Sequence, residues 1–500
     1  VSASSTSSSS SSSWLAVAAE EEEGTRLASR TCPGESPSSI CGAVFSSSEE
    51  EDRRFSLLQR EASAAWRAST RAGGAGGASN HAMLPEPCSV ADFSGKDLDL
   101  VVFGSTGFTG KLASKYLAKE ARLSGVKWAI AGRHRDELES LKANLSLVGP
   151  NAPAIVVADL EDPKSLQEMT ARAKAIMTYA GPYRKYGGEA LLQAAISTCT
   201  HYADLCGEAD FKTDMLNKYD AAAKNRGIVI MQALGMDSMP ADLLAMASAQ
   251  RLAEDSKGGP TDVTIFFSKL NGLVSGATIA AGLDAEAHKI ASTPQEEAYA
   301  LAPQVPVALR ANSVAGGELP RSATRSSEEG MSGYDPDFSS AIIPYIMAYI
   351  DAPTVRRSLA MTYPNDAIFF SEVMGSSVSA ELSKFLLDPQ AIKDPPKMNL
   401  APGEGPPEWT LEKGSLGAQG LAKRTGDSAK EARVFMDCHN DPGYGGTAKW
   451  SIELALLLSS RVVRGGSGGY LTPTLALGVD AMMKTLSEAD GGTLCTFKFE

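Results

Sequence analysis

Between residues 97 and 242 the apolar positions follow two alternating rhythms. Short β-rich runs occupy 98–103, 127–131, 154–159, 175–180 and 228–233. Between them apolar residues return every three or four positions, as Leu112, Tyr116 and Leu117 do after the first run, and as they do within 136–145 and 190–198. A short continuous apolar run is the habit of a strand buried on both faces of a parallel sheet; the three-to-four spacing marks a helix with one face on that sheet. Strand alternating with helix predicts an α/β fold, a Rossmann-type doubly wound parallel sheet. Past Asp242 the alternation stops. Residues 263–267, 369–373 and 432–436 read as strands, 275–278 opens a helix, 308–336 reads as a mobile Gly/Ser-rich loop, 388–408 as a second loop, and 447–460 as a long helix.

The turn after the first run carries candidate chemistry. Gly104-Ser105-Thr106-Gly107-Phe108-Thr109-Gly110 places glycines where the chain turns from strand into helix. Without a Cβ such a loop approaches a pyrophosphate closely and aims the free N–H groups of the helix start at it, so these seven residues are read as a dinucleotide cradle. The second strand ends in Gly132-Arg133-His134-Arg135, where a Rossmann unit meets the adenosine ribose. A carboxylate there would bind a free 2′-hydroxyl; Arg133 suits a 2′-phosphate, which favours NADP(H) over NAD(H). In such sheets ligands bind beyond the carboxyl ends of the strands, which brings Asp159 after the third strand and Gly181 and Pro182 after the fourth into the cofactor set.

Composition narrows the rest. The first ninety or so residues are Ser-rich with acidic runs at 20–23 and 49–52, too poor in apolar surface to offset ordering entropy, so 1–92 is expected to be a disordered extension. Met83 is read as an internal start; the serines, but not the acidic runs, fit a transit peptide. Net charge is −13 with no long basic run, which argues against nucleic acid as partner. Seven cysteines show no C-x-x-C pair and no repeated spacing, so neither a disulfide framework nor a metal site is expected, and the compartment reads as reducing and intracellular. The longest apolar run, 341–350, is broken by Pro344 and falls short of the ~18 residues of a membrane span. It reads as a core helix or a patch resting on lipid.

Several further motifs follow the later strands: Gly181-Pro182-Tyr183 with Tyr186-Gly187, Thr200-His201-Tyr202-Ala203-Asp204 with Gly207-Glu208, and Gly235-Met236-Asp237-Ser238-Met239-Pro240. Later come Val355-Arg356-Arg357-Ser358, Gly403-Glu404-Gly405-Pro406, Asp441-Pro442-Gly443-Tyr444-Gly445-Gly446-Thr447-Ala448 and Leu471-Thr472-Pro473. With the glycine loop and Ala131-Gly132-Arg133, these resemble the saccharopine dehydrogenase-like oxidoreductases, a family that includes the trans-acting enoyl reductases. The resemblance covers roughly 98–497, with Met236 and Leu359 as departures. It implies a nucleotide domain at 93–240, an α+β substrate domain at 241–440 and a segment at 441–500 returning to the nucleotide domain. It also implies lipid or glycolipid metabolism, a hydrophobic or carrier-linked small-molecule substrate, and contact with a membrane periphery or lipid droplet. A homodimer is a further expectation, and cytoplasm or an organelle are the other locations considered.

Hydride transfer to a carbonyl, imine or activated alkene needs a proton donor beside the nicotinamide. Tyr183, Tyr186, His201 and Asp237 are the catalytic candidates, with Tyr202, Asp204 and Glu208 as groups able to donate or to orient them. Each has a structural reading beside the chemical one. The tyrosines could pack at a domain joint, His201 could satisfy buried backbone, and Asp237-Ser238 could cap the helix starting at Pro240. Arg356 and Arg357 could hold an anion or lie on a solvated face. Two classes follow: an NADP(H)-dependent oxidoreductase, or a non-catalytic dinucleotide-binding protein on lipid surfaces or partners.

Overall fold

The computed structural model describes residues 86–500 except 147–148, 150, 255–258, 274–297, 307–309, 311–318, 326–331, 346, 379–399, 402, 426–429 and 462–467, all within one unit, Glu61–Glu500. Residues 1–85, the helix expected at 275–278 and much of the loops expected at 308–336 and 388–408 lie outside the described residues.

The first half runs α1 (Val90–Ser94), β1 (Leu98–Phe103), α2 (Phe108–Lys119), β2 (Trp128–Gly132), α3 (Arg135–Ser146), β3 (Ala154–Val157), α4 (Pro163–Arg172), β4 (Ala173–Thr178), α5 (Tyr183–Tyr186), α6 (Gly188–Ser197), β5 (His201–Asp204), α7 (Ala209–Arg226), β6 (Val229–Met231) and α8 (Met239–Glu254). The second half has β7 (Asp262–Asn271), β8 (Thr324–Arg325), β9 (Gly333–Asp335), β10 (Ser340–Pro344), α9 (Ala348–Thr362), β11 (Phe369–Gly375), α10 (Glu408–Lys413), β12 (Ser415–Arg424) and β13 (Lys430–His439). The chain ends with α11 (Thr447–Ser459), β14 (Gly469–Tyr470), α12 (Pro473–Leu477), α13 (Val479–Gly492) and β15 (Cys495–Phe499).

The first sheet is parallel, in the order β14-β6-β5-β4-β1-β2-β3. From β1 the chain winds one way to β2 and β3, then returns to wind the other way through β4, β5 and β6. The order reverses between β1 and β4, and a crevice at their carboxyl ends is where doubly wound sheets hold ligands. The two faces of β1 explain its unbroken hydrophobicity: Leu100 and Val102 enter one core, Leu98, Val101 and Phe103 the other.

The second sheet is mixed, β15-β13-β12-β7-β11-β10-β9-β8. Its inner face (Val263, Ile265, Phe267, Leu416, Val434, Met436) shares one core with Leu100, Val102 and Met177 of the first sheet, with α8 and α11 between them. The carboxyl-terminal segment does return to the nucleotide sheet through β14, paired with β6, but β15 then crosses back to pair with β13. The apolar run at 341–350 is neither one helix nor one patch: it divides into β10 and the start of α9, and along β10 Ile342 is buried while Ile343 is exposed.

Two expectations are corrected. The extension does not reach residue 92: Ser89 and Asp92 form a capping box on α1, and Phe93 is buried. Disulfides are present, Cys88–Cys199 and Cys438–Cys495; their separations of 111 and 57 residues leave no local spacing to read. Among the described residues Cys206 is free and buried, no group of side chains is arranged to hold a metal ion, and no helix is long and apolar enough to cross a membrane.

Candidate active site

The loop between β1 and α2 has no room for a Cβ at two glycines and little at a third. Gly104 sits at φ 72°, and a Cβ there would stand 2.9 Å from the Ala180 backbone nitrogen. A Cβ on Gly110 would stand 2.3 Å from the Gly104 carbonyl oxygen. Gly107 is different: its φ of −71° suits any residue, and a Cβ would meet only the Gly104 oxygen, at 3.3 Å. Gly107 is the N-cap of α2 and no side chain caps the helix, so the first-turn N–H groups stay available to an anion. Buried Ser105 braces the loop, its hydroxyl donating to the Ala131 carbonyl at 3.2 Å, while Thr106 and Thr109 are half-buried.

The Phe108 side chain faces the second domain. Its ring meets Tyr444 edge-on at 5.4 Å and fills the space where Gly405 lacks a Cβ. Asp441 holds Tyr444 in place by accepting from the Tyr444 and Gly445 N–H groups. Lys115 of α2 pairs with Glu408 at 2.8 Å on the same joint. Phe108 thus ties the glycine loop to Tyr444 and Gly405 with its ring.

Arg133 follows β2, exposed, its Nε donating to His134 Nε2 at 3.1 Å; among the described residues it makes no ion pair. Arg135 pairs with Glu139 at 3.6 Å. Asp159 follows β3, half-buried, and its carboxylate accepts from the Glu161 N–H at 3.1 Å. A groove of about 860 Å³ between α2 and α3, lined by Lys111, Lys115, Asp136, Glu137 and Ser140 among others, reaches the glycine loop through Thr106.

Gly181-Pro182, a cis bond, follows β4 and leads into the short helix α5. Glu208, from the loop after β5, accepts from the Tyr183 and Arg184 N–H groups at 2.6 and 2.9 Å. Tyr183 is buried, and its hydroxyl donates to the Thr178 carbonyl at 3.0 Å while accepting from the Leu205 N–H at 3.0 Å. Both hydrogen-bonding roles are thus taken by the ends of β4 and β5, and burial pushes the phenol far above its ordinary range. Tyr186, on the last turn of α5, is 43% exposed.

His201 lies at the wrong end. It opens β5, at the amino edge of the sheet, with its ring buried against Phe93 at 5.1 Å. The Val229 N–H donates to Nδ1 at 3.0 Å, so Nε2 carries the proton and donates to the Arg461 carbonyl at 3.1 Å. Burial lowers its pKa to about 4. It is a neutral cross-link between backbones, not a donor at the carboxyl edge. Asp204 is likewise spent on structure: its carboxylate accepts from the Tyr202 hydroxyl, the Gln232 amide and the Cys206 and Ala233 N–H groups, knotting the ends of β5 and β6. Asp237, half-buried on the loop after β6, stands at the carboxyl edge, with burial raising its pKa. Arg356 and Arg357 are both buried and not on a solvated face. Arg357 donates to the Leu301 and Tyr470 carbonyls at 2.6 and 2.7 Å.

The sequence reading missed Lys212, Tyr345, Asp351 and Glu372, buried ionisable groups that meet below Asp237. Glu372 gave the one local signal, a carboxylate inside the apolar strand Phe369-Phe370-Ser371-Glu372-Val373.

Residues 100–231 match the model of the saccharopine dehydrogenase NADP binding domain. A Mycobacterium tuberculosis (strain ATCC 25618 / H37Rv) protein named as a trans-acting enoyl reductase is 31% identical over 415 residues, 79% of this chain and 96% of its own. A lipid droplet localized protein of Caenorhabditis elegans is 38% identical over 148 residues, 29% of this chain and 34% of its own. Among solved structures, apo saccharopine dehydrogenase (L-Glu forming) of Saccharomyces cerevisiae aligns over 80% of this chain and 99% of that one, at 12% identity and a TM-score of 0.47. Doubly wound sheet, NADP-binding domain and relatives named as enoyl reductases together define an NADP-dependent oxidoreductase. The chain belongs to the saccharopine dehydrogenase-like family that includes the trans-acting enoyl reductases.

Proposed function

We propose that the chain reduces a lipid-like or carrier-linked substrate with NADPH bound along the carboxyl edge of the first sheet. When bound, NADPH supplies a hydride. The observation that carries the reading is the glycine loop itself: Gly104 and Gly110 bring its backbone too close for a Cβ, and Gly107 stands at a helix start that no side chain caps. On this reading the backbone of 104–110 holds the pyrophosphate, Arg133 holds the 2′-phosphate, and Asp159 lies by the adenosine half. Gly181 and Pro182 border the nicotinamide half. Of the catalytic candidates, Tyr183 and His201 have their polar atoms taken by backbone. Tyr186 and Asp237 keep positions from which a proton can be delivered at this edge.

The substrate class is supported by the names of the relatives, an enoyl reductase and a lipid droplet protein. Exposed Tyr334 and Ile343 on the adjoining strands β9 and β10 suit contact with a lipid surface. The direct test follows deuterium from C4-labelled NADPH into a panel of long-chain enoyl thioesters, enoyl lipids and carbonyl lipids. Label in a saturated product establishes the reading. NADPH binding with no transfer to any member of the panel supports instead a dinucleotide-binding protein without catalysis.

A further inference from the structure

The segment before β1 is held on the amino edge of the first sheet, opposite the cofactor cradle. Cys88 is bonded to Cys199, in the turn between α6 and β5. Phe93 of α1 meets the His201 ring at 5.1 Å. After α1, Lys96 Nζ donates to the Thr170 carbonyl at 3.1 Å, the Thr198 carbonyl at 2.9 Å and the Thr200 hydroxyl at 2.8 Å. Within α1 only Phe93 is buried, so little apolar surface holds this strap down and the bridge carries much of its attachment.

One side chain marks this bridge out. Arg226, the last residue of α7, donates from Nη2 to Cys199 Sγ at 2.9 Å and to the Ser197 carbonyl at 3.2 Å, and from Nη1 to the Glu86 carbonyl at 3.1 Å. Its own carbonyl accepts from the Cys88 N–H at 3.1 Å. Its Nε finds no acceptor among the described residues. Asp92, the acid that acts on Arg226 electrostatically, accepts instead from the Ser89 N–H and hydroxyl at 2.8 and 2.7 Å. A guanidinium keeps its charge in such a site. A cation against a bridging sulfur stabilises the thiolate that forms there when the bridge opens, and a better leaving thiolate is displaced faster.

The backbone gives a second sign. Cys199 stands just past the end of α6 at φ 59°, a left-handed position that glycine ordinarily takes. A cysteine there is explained by its sulfur and not by its backbone. On the other side of the bridge Pro87, Ser89 and Val90 are exposed, so a small movement of the strap opens Cys88 Sγ to solvent. The Cys438–Cys495 bridge lacks these features. It joins directly opposed residues of the paired strands β13 and β15, and no side chain among the described residues donates to either sulfur.

We propose that Cys88–Cys199 is a thiol-operated switch in which Arg226 stabilises the departing Cys199 thiolate, and that its reduction frees residues 86–95 from the amino edge. The reductant is a dithiol. Its thiolate attacks Cys88 Sγ, a mixed disulfide forms on Cys88, and the electron pair of the broken S–S bond leaves on Cys199 beside Arg226. The reductant's second thiolate then attacks its own sulfur in the mixed disulfide, and Cys88 leaves and takes up a proton. Two electrons have passed from the dithiol, which ends as a disulfide; of its two protons one is on Cys88 and one in solvent. The carboxyl edge takes no part, so the switch is independent of the reaction proposed there.

The test equilibrates the full chain with graded ratios of reduced to oxidised dithiothreitol, traps free thiols with N-ethylmaleimide and locates the labelled cysteines by mass spectrometry. Cys88 and Cys199 should be labelled at a ratio at least about tenfold lower than Cys438 and Cys495. Chymotrypsin should cut after Phe93 in the reduced protein and spare that bond in the oxidised one. In reduced protein at neutral pH, iodoacetamide should modify Cys199 several-fold more slowly in Arg226→Gln than in wild type, with Arg226→Lys restoring the rate. Opening of both bridges at one ratio, or of Cys438–Cys495 first, overturns the proposal, as does a Phe93 bond equally resistant in both states. An unchanged rate in Arg226→Gln overturns the part given to Arg226. The wild-type results decide the matter even where a variant does not fold.

Discussion

The Cα of Gly110 lies so close to the Gly104 carbonyl that a side chain on one residue would displace the backbone of the other. This contact fixes the loop and makes the three glycines unequal. Gly110→Val should destabilise the protein by several kcal/mol, in the range of backbone displacement and overpacking. Gly107→Val, whose Cβ needs the Gly104 oxygen to give by a few tenths of an ångström, should destabilise the protein less than Gly110→Val does, while NADPH binding is lost. Calorimetry and thermal unfolding of the two variants check this; a Gly107→Val protein that binds NADPH as wild type does would remove the cradle from the loop.

His201 sets an acid limit on stability. Its folded pKa of about 4 lies below the ordinary 6.5, so over that window the unfolded chain takes up a proton that the native ring refuses. The unfolding free energy should therefore fall as pH drops from 6.5 towards 4, this group accounting for about 3 kcal/mol in full. Denaturant midpoints across the window should fall less steeply in His201→Gln, whatever its stability at neutral pH. Equal slopes in the two proteins would place the acid sensitivity elsewhere.

The Cys88–Cys199 bridge closes a loop of about the size for which chain entropy gives roughly 4–5 kcal/mol. A protein starting at Met83 retains the bridge and α1 and should keep the thermal midpoint of the full chain. One starting at Lys96, or Cys88→Ser in the full chain, should melt several degrees lower. Equal midpoints for all of them would mean that the residues before β1 contribute nothing to the fold.

The strands and the glycine loop were legible because both depend on neighbours in sequence. The two-faced burial of β1 is written in consecutive apolar residues, and the turn into α2 in the glycine spacing. What the sequence concealed depends on which distant residue arrives. His201 reads as a catalytic candidate until β5 is oriented and the ring proves to be at its amino end. Tyr183 reads as a donor until Leu205 and Thr178 take both roles of its hydroxyl. Cys88 and Cys199 are joined only by folding. Lys212, Asp237, Asp351 and Glu372 come from separate elements, and no spacing could have gathered them.

The choice of cofactor tests the account most directly. Arg133 stands exposed at the end of β2 without an acidic partner among the described residues, and neither Gly132 nor His134 supplies a carboxylate for a free 2′-hydroxyl. A guanidinium on a phosphate in such a site contributes on the order of 1.5–3 kcal/mol, about one to two powers of ten in affinity. The measurement is the ratio of NADPH to NADH affinity by calorimetry, in the wild type and in Arg133→Ala. The account requires NADPH to bind at least about tenfold more tightly in the wild type, with the preference shrinking in the variant. Equal wild-type affinities for the two cofactors would contradict it.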